Sequence, residues 1–234
     1  MAGVRARIFP LRPITYRSVT FDLDGTLVDS LPDLAAASHA ALAELGLPSR
    51  SDGDIARFVG QGMASLVERC LTWDQPPAPA QVEQALVVFR RHYAHFNGQA
   101  SRLFPGVKEG LDLCRAQGLA LGVVTNKPEA FTFPLLEQLG LTPYFSCVVG
   151  GDTTPHRKPH PEPLIYACRA LGTVPAANVH VGDSVNDFRA ARAAGCPALA
   201  VPYGYNEGRP VDRGECDALV SDLVAVARWI VPGA

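Results

Sequence analysis

The stretch Ser18–Ser30, "SVTFDLDGTLVDS", starts as an apolar, β-branched run and then places two carboxylates, Asp22 and Asp24, one residue apart. The run Val19–Phe21 reads as a buried strand, and Gly25 with Thr26 reads as the tight turn that follows it. Two acids so close repel each other, and both are costly at the edge of a hydrophobic core. Such a pair is tolerable where cations oppose one carboxylate and a proton sits on the other.

Outward from this stretch, the second half of the chain alternates. "LALGVVT" (119–125), "CVVGG" (147–151), "NVHVGD" (178–183) and "PALAV" (197–201) read as short buried strands. Between them, "GVKEGLDLCRAQG", "EAFTFPLLEQLG", "PEPLIYACRALG" and "SVNDFRAARAAG" read as helices, each closed by a glycine suited to a left-handed cap. This alternation predicts an α/β fold, a Rossmann-like parallel sheet covered on both faces.

Residues 31–100 read differently. "SLPDLAAASHAALAELG" has Ser30 as N-cap, Pro32 in its first turn, Asp33 three residues after the cap and a stop at Gly46. "QVEQALVVFRRHYAHF" carries Val82, Leu86, Phe89, Tyr93 and Phe96 on one stripe. Two shorter helices, broken at Gly60 and Gly62, lie between them. The expected organisation is therefore an α/β core of residues 18–30 and 101–234, a helical cap at 31–100 inserted into it, and a flexible extension at 1–17.

Bulk properties narrow the function. The 234 residues are 47% hydrophobic and 19% charged with a net charge of −2, which disfavours nucleic acid or an anionic membrane as partner. No apolar run reaches membrane-spanning length. The Arg-rich N-terminus contains prolines and lacks an amphipathic period, so it does not read as a targeting segment. Six scattered cysteines without a C-x-x-C pair fit reduced thiols and a cytoplasmic location. His92 and His95 have no third ligand nearby and read as surface histidines. The oligomeric state, monomer or homodimer, stays open.

Ligands of open α/β sheets bind beyond the carboxyl ends of the strands. The fold would bring Asp22 and Asp24, Thr125 and Asn126, Lys158, and Asp183 and Asp187 to one such rim. A carboxylate can attack phosphorus and split hydrolysis into two easier steps, provided the charge is neutralised. Asp22 and Asp183 would hold Mg²⁺, and Lys158 would steady Asp22 and the phosphoryl oxygens. Thr125 and nearby N–H groups would bind the remaining oxygens. Asp24, protonated at the start with the help of burial, would serve as acid and then base. A calcium loop is excluded, because the glycine and distal glutamate it needs are out of register.

"DLDGT", "VTNK", the lysine of "RKPHPEP" and "VGDSVND" resemble, in order and spacing, the four motifs of the haloacid dehalogenase superfamily. Within it, "LFPGV", "GVVTNKP", "VVGGD", "KPHPEPL" and "GCPALAVPYGYN" look most like the bacterial phosphoglycolate phosphatases. The resemblance implies Asp22 as nucleophile, Asp24 as acid and base, and Thr125, Asn126 and Lys158 as phosphate-binding groups. It also implies Mg²⁺ on Asp22, the Asp24 carbonyl and Asp183, supported by Asp187, and a small phosphorylated metabolite as substrate.

Asp24 argues against a dehalogenase, whose halide leaving group needs no proton. The absence of lysine from residues 29–107 excludes the Schiff-base chemistry of phosphonate-cleaving relatives. Sugar-phosphate phosphatases and mutases stay open, as does, more remotely, a phospho-accepting signalling receiver. Specificity is expected from the cap, where Arg69, then Arg57 and Gln61, are the candidates to read a substrate carboxylate.

Overall fold

The computed structural model describes residues 16–231. Its first and central strand is β1 (Ser18–Phe21), fully buried, as its apolar and β-branched composition requires. Two very short strands, β2 (Val28–Asp29) and β3 (Arg102–Leu103), follow in chain order, separated by the helical segment. The remaining strands are β4 (Ala120–Val124), β5 (Cys147–Val149), β6 (Asn178–Gly182), β7 (Ala198–Ala200) and β8 (Ala218–Leu219). The main sheet has six strands in the order β5-β4-β1-β6-β7-β8, all pairs parallel. Because β1 lies between β4 and β6, the chain exits of β1, β4, β5 and β6 share one rim.

Helices α5 (Val107–Ala116), α6 (Glu129–Gln138), α7 (Glu162–Ala170) and α8 (Val185–Ala194) occupy the expected segments. Gly118, Gly140, Gly172 and Gly195 all take positive φ just beyond these helices, a conformation cheap only for glycine. The strand β8 and a last helix, α9 (Leu223–Ile230), were not expected from the sequence. Helix α9 carries its own N-cap, Asp222, which accepts from the Ala225 N–H.

Helices α1 (Leu31–Glu44), α2 (Asp52–Phe58), α3 (Met63–Leu71) and α4 (Pro79–Phe96) fill the intervening segment and share a hydrophobic cluster of their own. The chain enters and leaves this bundle through the antiparallel ribbon β2–β3, where Val28 pairs with Leu103. Asp33 was read as a first-turn acid of α1. It is one, and it is also buried and accepts from the Gly98, Ala100 and Ser101 N–H groups at 2.8, 2.7 and 3.0 Å, tying the two crossings together. Ser30 makes no side-chain cap; the Ser30 and Leu31 N–H groups donate to the Tyr205 hydroxyl at 2.9 and 3.0 Å.

Residues 1–15 of the expected flexible extension lie outside the described residues. Its last two do not: Tyr16 stacks on Trp229 with ring centroids 5.7 Å apart, and the Arg17 N–H donates to the Ala177 carbonyl. Among the described residues no helix is long and apolar enough to cross a membrane, and all six cysteines are free.

Candidate active site

At the rim, β1 ends and Asp22 turns inward toward the exits of its two neighbours. The Lys158 ammonium, wholly buried, lies 2.9 Å from Asp22 Oδ1 and 2.6 Å from Asp187 Oδ1, and donates to the Val124 carbonyl at 2.6 Å. Asp187 sits in the first turn of α8, where its Oδ2 accepts from the Ser184 N–H and Oγ–H, a capping arrangement. Its Oδ1 meets His180 Nε2 at 3.1 Å as well as Lys158, so both oxygens are committed. Asp183 Oδ1 accepts from the Thr26 hydroxyl at 3.0 Å and Oδ2 from the Tyr205 N–H at 2.7 Å. Glycine makes room here: a Cβ on Gly25 would sit 2.5 Å from Asp183 Oδ2, and one on Gly204 would sit 2.2 Å from Asp183 Cβ.

Asp22, Asp183 and Asp187 each offer an oxygen within 4.8 Å of the others, the grouping of acids and possible metal ligands found among the described residues. Asp22 Oδ1 is buried and, although close to Lys158, receives no aligned hydrogen bond. Asp187 already faces the Lys158 cation, whereas Asp183 accepts only from the neutral Thr26 hydroxyl and backbone N–H groups; Asp183, with the unpartnered Oδ1 of Asp22, could therefore hold a metal ion. An oxygen-only donor set of this kind suits a hard divalent cation.

Electrostatics agree with that geometry. Burial, reinforced by neighbouring carboxylates, pushes Asp183 up to about 8. Burial likewise raises Asp22 to about 6 against the opposing pull of Lys158. Burial would raise Asp187 too, but Lys158 and His180 outweigh it and hold that carboxyl well below the usual range. His180, buried in β6, is held below its ordinary value by desolvation. A ladder continues behind it: Thr20 Oγ1 meets His180 Nδ1 at 3.0 Å, and Asn178 Nδ2 donates to Thr20 Oγ1 at 3.0 Å.

A small cleft opens above this rim. Asp22, Asp24, Thr125, Asn126 and Lys127 line its floor. Thr125 Oγ1 accepts from the Lys127 N–H at 3.2 Å. Asn126 Nδ2 donates to the Lys158 and Gly60 carbonyls, both at 3.0 Å, and so ties the rim to the turn between α2 and α3. The facing wall is Leu34, Val59, Gly60, Gly62, Met63 and Leu66.

Two placements differ from the sequence reading. Asp24 was expected to be a protonated acid sheltered by burial; instead Lys127 Nζ lies 2.9 and 3.1 Å from its two oxygens, an ion pair. Arg57, Gln61 and Arg69 do not line the cleft. Arg57 pairs with Asp54, Gln61 donates to Glu207, and Arg69 lies over the Phe58 ring with Nη1 4.0 Å from Glu207. The turn at Gly60–Gly62 faces the loop Asn206–Gly208, so Gln61 and Arg69 find a partner there, and Arg57 finds one within α2, rather than in the cleft.

Three residues that sequence reasoning left unassigned belong to the site. Lys127 is one of only three lysines and directly follows Thr125–Asn126, a usable signal. Tyr93 was read as part of an apolar stripe; its ring is buried, but its hydroxyl accepts from Lys127 Nζ. His180 was hidden inside a strand pattern. His92, one of the two surface histidines, pairs with Glu44 at 2.8 Å.

A parallel sheet with acids and a lysine at one rim, facing an inserted helical bundle, defines a phosphoryl-transfer class of α/β hydrolases. The sequence pattern of the haloacid dehalogenase-like hydrolase family matches residues 19–201, and the chain belongs to that family. It is 47% identical to the phosphoglycolate phosphatase of Thiobacillus denitrificans over 93% of this chain and 97% of that protein. The phosphoglycolate phosphatase of Escherichia coli strain K12 is 42% identical over 88% and 89% of the two chains. A crystal structure described as a predicted phosphoglycolate phosphatase from Haemophilus somnus matches with a TM-score of 0.86 and 36% identity, covering 92% of this chain and 98% of that one. The protein is a phosphatase, a phosphoric monoester hydrolase.

Proposed function

We propose that the protein hydrolyses 2-phosphoglycolate to glycolate and inorganic phosphate, with Mg²⁺ as its resident cation and the helical segment 31–100 as a cap over the leaving group. The observation that carries this reading is the pair Asp22 and Asp24 at the floor of one small cleft, with Lys158 and Asp183 packed against Asp22 behind it. The names of the relatives at 42% and 47% identity support the substrate. So does the wall: a polyol phosphate would bring several hydroxyls against Leu34, Val59, Met63 and Leu66, which offer no side-chain donor or strong acceptor.

In the proposed reaction a carboxylate oxygen of Asp22 attacks phosphorus, and the bond from phosphorus to the ester oxygen breaks with its electron pair leaving on that oxygen. Asp24, paired with Lys127 in the resting structure, takes up a proton from solvent as the anionic substrate enters and competes for that ammonium, and then delivers it to the departing alkoxide. Asp24 then takes a proton from a water molecule whose oxygen attacks the phosphorus of the aspartyl-phosphate, releasing phosphate and restoring Asp22. Lys158 offsets charge on Asp22 and the phosphoryl oxygens, with Asp187 and His180 fixing its position. Thr125 Oγ and the rim N–H groups hold the non-bridging oxygens. Mg²⁺, held by Asp22, Asp183 and the Asp24 carbonyl, would supply charge neutralisation for the phosphoryl group.

A substrate screen with Mg²⁺ tests this. Turnover of 2-phosphoglycolate should exceed that of sugar phosphates of similar charge. A strong preference for any sugar phosphate would overturn the substrate assignment, and phosphorylation without steady release of phosphate would indicate a receiver.

A further inference from the structure

A two-carbon leaving group bearing a carboxylate brings a second negative charge into the cleft, and something must meet it. Of the side chains lining the cleft, Lys127 is the sole cation. Lys158 lies beneath Asp22, spent on Asp187, Asp22 and the Val124 carbonyl. Of the cap arginines near the cleft, Arg69 faces Glu207 and Arg57 pairs with Asp54. An anion seated against the apolar wall without a partner would carry a large desolvation cost.

Resting on the substrate reading above, we propose that Lys127 is the residue that reads the leaving-group carboxylate, with Tyr93 fixing its ammonium in place. Position supports this first. Asp24 must face the ester oxygen to exchange a proton with it, and the Lys127 ammonium lies 2.9 and 3.1 Å from the Asp24 oxygens. In a phosphorylated 2-hydroxy acid the carboxyl carbon is only two bonds from that ester oxygen. Its carboxylate therefore falls beside the same ammonium.

Valence supports it next. An ammonium has three N–H donors. One reaches Tyr93, and the Asp24 carboxylate can share another between its two oxygens, which leaves a donor for a second carboxylate. Competition for the ammonium also loosens Asp24, so a substrate carrying a carboxylate frees the very group that serves its leaving oxygen.

Tyr93 supplies the rigidity. It projects from α4, stacks on Phe89 at 5.6 Å and meets Phe131 of α6 at 5.1 Å between ring centroids. Asn97, just beyond α4, donates to the Phe131 carbonyl at 2.9 Å. The end of α4 is thus fastened to the core beside Lys127, and a lysine that would otherwise sweep several rotamers is confined.

Steady-state kinetics of Lys127→Met, Lys127→Arg and Tyr93→Phe on three substrates test the assignment. The substrates are 2-phosphoglycolate, 2-hydroxyethyl phosphate (similar in size, without the carboxylate) and p-nitrophenyl phosphate, whose leaving group needs no proton. Lys127→Met should slow both alkyl esters through the loss of its contact with Asp24, but the loss in kcat/KM for 2-phosphoglycolate should exceed that for 2-hydroxyethyl phosphate by about 30-fold, the difference expected for one charge-assisted contact and expressed through KM. Lys127→Arg should keep the preference for the carboxylate. Tyr93→Phe, which leaves the lysine in place, should weaken that preference by about 3- to 10-fold through KM.

Equal losses on both alkyl esters with the aryl ester spared would overturn the proposal and leave Lys127 as a support for Asp24 alone. Equal losses on all three would make it structural and overturn the proposal as well. If Lys127→Met fails to fold, retention of the full preference by Tyr93→Phe together with its loss in Lys127→Arg overturns it. A wild-type protein that does not prefer 2-phosphoglycolate to 2-hydroxyethyl phosphate overturns the substrate reading itself. A preference that survives Lys127→Met overturns only the role of Lys127.

Discussion

On the core side of the cleft, buried acids, a lysine and a histidine hold one another in place through short hydrogen bonds; on the cap side the wall is aliphatic side chain and glycine backbone. The difference follows from what each side must recognise. A phosphoryl group is the same in every phosphomonoester, so its groups can be fixed rigidly, each oriented by a second polar partner. The leaving group varies, and a wall of apolar side chains and flexible turns can change with little effect on the rim. On the proposed function the core half carries the chemistry and, through Lys127, reads the leaving-group carboxylate, while the cap half excludes water and limits size.

The largest effect that could break this contrast is at Asp22. Asp22→Asn should lower phosphate release by about 10⁴-fold or more while leaving the fold intact, because the amide is no nucleophile. Parent-rate phosphate release by the folded variant would refute nucleophilic catalysis at that position.

Lys158→Met comes next. It strips the shared cation from Asp22 and Asp187 inside the protein, so kcat should fall by about 10³-fold. Stability should drop by about 3–5 kcal/mol, as when one member of a buried pair is removed. Urea unfolding beside kinetics separates the two effects, and an unchanged midpoint would show that the rim is not under the electrostatic tension described.

Metal removal sharpens the picture further. Asp183 and Asp22 have folded values of about 8 and about 6, against ordinary values of 3.8. Between about pH 4 and 8 these two groups hold more protons in the metal-free folded state than in the unfolded chain, so their contribution to stability falls as pH rises, offset in part below about pH 6.5 by His180, whose folded value is depressed. In EDTA the Tm should decline from pH 5 to pH 8. Added Mg²⁺ should raise it, and more at pH 8 than at pH 5. A Tm that ignores both pH and Mg²⁺ would remove Asp22 and Asp183 as metal ligands.

The smallest effect is expected on the cap. Arg69→Ala should change kcat/KM for 2-phosphoglycolate by less than about 3-fold, since Arg69 faces Phe58 and Glu207. A loss above about 10-fold would mean that the cap turns during the reaction and carries Arg69 into the cleft, which would end the contrast between a specifying core and a passive wall.

Much of the rim was legible because strand ends announce themselves. An apolar run that stops at an acid, a Thr-Asn or a glycine-acid pair locates a functional group at a sheet edge without any tertiary information. Asp22, Thr125, Asp183 and Asp187 follow such stops, and glycines such as Gly118 and Gly195 closed the helices as their positive φ requires. Asp33, Tyr93, His180 and Tyr205 were not legible. Each sits in a pattern that explains it adequately as a helix turn, an apolar stripe, a strand interior or a loop. Their partners are distant: the Tyr205 hydroxyl holds residues 30 and 31, and its N–H holds Asp183.

Local order along the chain therefore determined the elements up to β7 apart from the short ribbon β2–β3, the handedness of the helix ends and the identity of the groups presented at the sheet edge, because periodicity and backbone preference act between near neighbours. Which cation faces which acid was decided by packing alone. Asp24 faces Lys127, and Arg69 faces Glu207 rather than the cleft, because a charge in a folded interior pairs with whatever the tertiary structure brings within a few ångströms, and no spacing in the sequence encodes that distance.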